Sequence, residues 1–142
     1  MILIDTGAFY ALADDSDRNA GAARAFFRKH LGSDQFVTTD AILFESWTLI
    51  RNKLRWEAAR RFLEGFRSSD VSLIHLESVD LEAAWRILNE YSDQELSLVD
   101  ATSFAAMERH GVAHAFTFDT DFLIYRYGPK KQRSFSCWPI KS

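Results

Sequence analysis

The chain has 142 residues, 47% hydrophobic and 14% aromatic, which supplies a real core and excludes a disordered or low-complexity protein. Two prolines and six glycines leave no visible linker, so one domain over residues 1–142 is expected. The single cysteine, Cys137, excludes an internal disulfide, no Cys/His cluster suggests zinc, and a formal net charge of −3 advertises no global basic surface.

Ile2-Leu3-Ile4 reads as a short buried strand that stops at Asp5, and Thr6-Gly7 turns the chain into the apolar segment Ala8 to Ala13. Asp17 is expected to cap a helix running to about Leu31, with Phe26, Phe27 and Leu31 inward and Gly32 as its stop. Gln35 to Thr38 is a second strand. Thr39 or Asp40 then caps a helix carrying Ile42, Leu43, Trp47, Leu49, Ile50 and Leu54. A helix over about Trp56–Phe66 and a strand over Val71–Ile74 follow. The next helix, about Asp80–Tyr91, places Leu81, Ala84, Trp85 and Leu88 on one face. Ser97 opens a helix that Gly111 ends, Ala113–Phe118 is a fourth strand, and Arg133–Trp138 a fifth at the sheet edge.

Strands alternating with helices imply an α/β fold, with a central parallel sheet of about five strands flanked by helices on both faces. No apolar run approaches the roughly 20 residues of a membrane span. MILID turns acidic too soon for a signal peptide, so a soluble cytoplasmic protein without membrane attachment is expected. Two basic segments stand out, Arg51 to Arg61 and Arg126 to Arg133. Either suits phosphate, and either suits an ordinary solvated face.

In such sheets ligands sit beyond the carboxyl ends of the strands, which is where Asp5 and Asp119 fall. Glu45 lies three residues after Ile42 and four before Leu49, at the edge of an apolar stripe, where it needs a partner or a path to water. Asp100 completes the box Ser97-Leu98-Val99-Asp100, yet begins the stripe of Phe104 and Met107. Asp119 and Asp121 suit a turn, as Asp5 does. Taken singly, each acid has a sufficient structural reason. Taken together, they make an oxygen-only set with no lysine between Asp100 and Asp121, suited to a hard divalent cation, Mg²⁺ or Mn²⁺. Such an ion offsets carboxylate repulsion and lowers the pKa of a bound water, which is phosphodiester-hydrolysis chemistry when a phosphate lies opposite.

IDTGAF at 4–9, Thr39 through Glu45-Ser46-Trp47, SLVDATSFAAMERHGV at 97–112 and TFDTDF at 117–122 together resemble the PIN-domain nucleases. The resemblance implies that Asp5, Glu45, Asp100 and Asp119 are the catalytic, metal-binding quartet. It makes Asp121 a fifth, more variable metal ligand, and Thr6, Ser97 and Thr117 hydroxyls that orient the carboxylates. Gly7 stands where serine is common. A PIN domain of this length resembles the toxin of a VapBC-type pair. That implies a Mg²⁺-dependent endoribonuclease acting on RNA, a homodimer, and a VapB-type antitoxin whose tail occupies the active-site groove. ESWTLI and SLVDATSF further resemble the subgroup that cuts the sarcin–ricin loop of ribosomal RNA, while other subgroups cut tRNA.

Other readings are a PIN nuclease of RNA processing and a binding module that no longer cuts, against which the intact acids argue. An aspartyl-phosphate phosphatase would want a second Asp where Gly7 stands. His30, His75, His110 and His114 are scattered and read as structural or surface residues.

Overall fold

A computed structural model describes residues 1–140. Strands β1 (Ile2–Ile4), β2 (Phe36–Thr39), β3 (Ser72–Ile74), β4 (His114–Thr117) and β5 (Ser136–Pro139) form one parallel sheet in the order β3-β2-β1-β4-β5. All three residues of β1 are buried, because helices cover both faces of the sheet and an alternating pattern would put polar groups in a core. The chain steps outward from β1 to β2 to β3, then returns to place β4 on the other side of β1. Right-handed crossovers therefore put the earlier and later helices on opposite faces.

The helices are α1 (Thr6–Ala13), α2 (Ala20–His30), α3 (Asp40–Lys53), α4 (Trp56–Ser68), α5 (Ser78–Glu90), α6 (Leu98–His110) and the single turn α7 (Asp121–Ile124). Helix α2 lays Phe26 against Phe116 of β4 and Trp138 of β5, at centroid distances of 4.6 and 5.6 Å. Helix α6 sets Phe104 against Phe122 at 4.8 Å and stacks it on Tyr125 at 4.6 Å. Phe104, Phe116 and Phe122 are wholly buried, each worth about 1.5–3 kcal/mol relative to exposure. Thr39 caps α3 by accepting from the Ile42 amide, and Gly111 ends α6 in the left-handed region at φ 68° that other residues avoid.

Several expectations are corrected. Asp17 does not cap α2; it accepts from the Asn19 amide in the turn before, and Asn19 flanks the helix. Leu31 is 60% exposed because α2 ends at His30 and the chain leaves the core there. On α5 the buried positions are Asp80, Ala84 and Ile87, while Leu81 and Trp85 face outward. The fifth strand is parallel and at the edge as expected, but spans Ser136–Pro139 rather than starting at Arg133.

Asp80 explains how α5 is seated. Its carboxylate, 1% exposed, accepts from Arg109 Nε at 2.7 Å and Nη2 at 2.8 Å, and from the Glu77 amide at 2.9 Å. The Arg109 guanidinium holds its carboxyl below the usual range. This fork ties α5 to the last turn of α6. Arg109→Met should therefore cost about 3 kcal/mol, the low end for breaking a buried pair since Arg109 keeps some solvent contact. Urea denaturation measures the loss, and Asp80→Asn with Arg109→Met should recover part of it.

Candidate functional site

Asp5 follows β1 directly, and its amide donates to the Phe116 carbonyl of β4 at 3.0 Å, continuing the ladder one residue past the strand. The border between β1 and β4 is where the strand order reverses, the place an open parallel sheet leaves a crevice. Thr117 Oγ1 donates to Asp5 Oδ2 at 2.9 Å and accepts from the Asp119 amide at 2.9 Å. Asp119 Oδ1 in turn accepts from the Asp121 amide at 2.9 Å, which starts α7. One hydroxyl and two amides thus run from the buried acid to the rim.

Asp100 comes from the opposite side. Its amide donates to Ser97 Oγ at 3.0 Å and its Oδ2 accepts from the Ser97 amide at 3.1 Å, a reciprocal box that fixes the first turn of α6. Oxygens of Asp100, Asp119 and Asp121 lie within 4.8 Å of one another. Thr6 Oγ1, at the start of α1, donates to Glu45 Oε1 at 2.8 Å, so Glu45 is held beside the residue that follows Asp5. Two of the three hydroxyls expected to orient a carboxylate bond one directly, Thr6 to Glu45 and Thr117 to Asp5, whereas the Ser97 hydroxyl accepts from the Asp100 amide and it is the Ser97 amide that holds the Asp100 carboxylate. The tightest group differs from the expected quartet. Asp121 stands in it, Asp5 lies behind it through Thr117, and Glu45 is reached through Thr6.

The electrostatics follow from this packing. Asp5 is 5% exposed, and burial pushes its carboxyl up to about 7, helped by the charges of Asp100 and Asp119 and opposed by the Thr117 and Thr6 hydrogen bonds. Burial likewise pushes Asp100 up to about 6, with Asp119 and Asp121 adding repulsion. Asp121 is raised by burial and by Asp119. Among the described residues no lysine, arginine or histidine forms an ion pair with any of these acids. A clustered, uncompensated, all-oxygen donor set fits a hard divalent cation. None of the four histidines belongs to the cluster. At Gly7 an added Cβ would meet nothing within 4 Å, so the departure from serine leaves the acids undisturbed.

Sequence reasoning missed the close neighbourhood of Cys137, whose thiol is pushed up to about 11 by burial first and then by Asp5 and Asp119. The register pairing Ala115 with Cys137 brings it there, and no local motif marks it.

Residues 2–127 match the PIN-domain family. Over 123 residues the chain is 34% identical to the 23S rRNA-specific endonuclease VapC20 of Mycobacterium tuberculosis, covering 86% of this chain and 92% of that protein. The crystal structure of Mycobacterium tuberculosis VapC20, a sarcin–ricin-loop-cleaving toxin, superposes with a TM-score of 0.81 at 31% identity over 87% of this chain and 94% of that one. VapBC2 of Rickettsia felis, bound to a DNA fragment from its promoter, shares the fold at a TM-score of 0.70 and 12% identity, covering 97% and 99%. The chain belongs to the PIN-domain family. Its members are nucleases, which places the chain among the enzymes that hydrolyse phosphodiester bonds.

The raised carboxyls set a pH dependence. Asp5 binds its proton more tightly folded than unfolded, so between about 4, its unfolded value, and 7 the native state holds more protons. Stability therefore falls as pH rises through that window, and Asp100 adds to the fall up to about 6. In EDTA the melting temperature should be higher at pH 5 than at pH 8, and Asp5→Asn should flatten the difference while raising the value at pH 8. Thermal unfolding at both pH values measures it.

Proposed function

We propose that this chain is a single PIN domain acting as a Mg²⁺- or Mn²⁺-dependent endoribonuclease. On this reading it cuts the sarcin–ricin loop of large-subunit ribosomal RNA and is the toxin of a toxin–antitoxin pair in the cytoplasm. The observation that carries the reading is the uncompensated acid cluster at the β1/β4 border, in a chain closely similar to an endonuclease of that specificity. Among the described residues no helix is long and apolar enough to cross a membrane, which accords with action on ribosomes.

In this reading Asp100, Asp119 and Asp121 hold the metal ion, and Asp5, Glu45, Asp100 and Asp119 form the catalytic set. The bound cation would supply charge opposite the phosphoryl oxygens and acidity to the attacking water. The chain's own contribution is preorganisation. Thr117, Thr6 and Ser97 hold carboxylates in place before RNA arrives, and the amides of Asp119 and Asp121 fix the turn.

A VapB-type antitoxin and a second copy of the chain complete the proposal. A groove of about 620 Å³ between α1, α2 and α4, lined by Phe9, Leu12, Phe27, Phe62 and Phe66, with Arg55 and Arg61 as well as Asp14 and Asp15 beside them, suits an apolar peptide carrying charges of both signs. Leu81 and Trp85, exposed on α5, provide apolar surface for a homodimer.

Asp100→Asn or Asp119→Asn should lower cleavage of ribosomal RNA by about 100-fold or more, the scale for losing an electrostatic element of a site. Both variants should fold and melt no lower than the parent in EDTA. Mapping new 5′ ends in ribosomal RNA after brief expression measures it, with Asp5→Ala as control. Full cleavage by a folded Asp100→Asn protein would overturn the reading. Millimolar Mg²⁺ or Mn²⁺ should also raise the parent's melting temperature at pH 8, and raise it less in Asp119→Asn.

A further inference from the structure

We infer that the outer face of α3 carries the RNA strand away from the site, with Phe44 stacking a nucleobase and Arg51 binding a backbone phosphate. The inference rests on the nuclease reading and adds to it the residues that grip the substrate. Phe44 is 66% exposed on the helix that also carries Glu45, so an aromatic face stands in water on an element of the site. The helix buries Ile42, Leu43, Ser46 and Ile50, which leaves Phe44, Thr48 and Arg51, spaced by four and then three, as neighbours on the opposite side. Core packing therefore does not account for Phe44.

Arg51 takes part in none of the ion pairs among the described residues, unlike Arg60, which is matched by Glu57 and Glu64. It lies about 10 Å along the helix from Phe44, a reach of one to two nucleotides. A chain with a net charge of −3 and a cluster of acids at its site needs local positive charge to hold a polyanion. A stacking platform followed by a free guanidinium is the pairing that binds single-stranded or splayed RNA, as in a loop.

Binding is measured by fluorescence anisotropy of a labelled RNA stem-loop carrying the sarcin–ricin sequence, in an Asp119→Asn background so that the RNA stays whole. Cleavage is measured separately in the parent. Phe44→Leu keeps the apolar area and removes the ring, and should weaken binding about tenfold, while Phe44→Trp should retain it. Arg51→Gln should reduce the slope of log affinity against log salt by about one, and Arg51→Lys should keep the slope. Unchanged affinity in Phe44→Leu and an unchanged slope in Arg51→Gln would overturn the inference. So would conversion of a dimer to a monomer by Phe44→Leu at unchanged RNA affinity, which would assign the face to a second copy. Failure of the parent to cleave, with these binding effects intact, would strike the nuclease reading alone.

Discussion

The fold is organised around an acid that water barely reaches. Asp5 ends the central strand, is 5% exposed, and has other carboxylates for neighbours. Desolvation and like charge both oppose its ionisation, and among the described residues no cationic side chain pairs with it. What makes the position tolerable is local: hydrogen bonds from Thr117 and the backbone, and a rim where Asp100, Asp119 and Asp121 can share an ion. The β1/β4 pairing fixes Thr117 against Asp5, the turn after β4 fixes Asp119 against Asp121, and the box at Ser97 fixes Asp100. A separate bond, Thr6 to Glu45, ties α1 to α3 beside them.

A protein acidic overall must handle a more acidic substrate, so the distribution of charge matters more than its sum. The acids of the site gather at one end of the sheet. Asp80, the other deeply buried acid, is neutralised by Arg109 and stays out of the chemistry. Buried carboxylates thus fall into two kinds. One is matched by a guanidinium and serves as a structural tie. The other is left without a cation and kept for a ligand.

The parallel sheet was legible because Ile2-Leu3-Ile4 and Ala115-Phe116 are apolar runs between helical stretches, and the acids were legible because strand ends carried them. Helix faces were less so. Leu81 and Trp85 recur at the same spacing as Ala84 and Leu88, and periodicity finds a stripe without saying whether core or water lies beyond it; Asp80, buried through Arg109, turned the helix. Helix α7 is one turn, too short for any period to register. The ranking of the acids was also hidden. Asp121 joins the closest group because its amide bends back onto Asp119, whereas Asp5 sits a hydroxyl away, and neither fact is written in a spacing.

The span of these contacts has a consequence for synthesis. Thr117 and Asp5 are separated by 112 positions, and Glu45 and Thr6 by 39, so the acids belong to segments made far apart in time. Until β4 has left the exit tunnel and docked beside β1, Asp5 has no hydroxyl to hold it and Asp119 is absent from the rim. A growing chain therefore lacks the assembled site until β4 has been made and docked. For a nuclease, assembly of the site thus waits on the pairing of two strands far apart in the sequence, so cutting power comes with the fold and not before it.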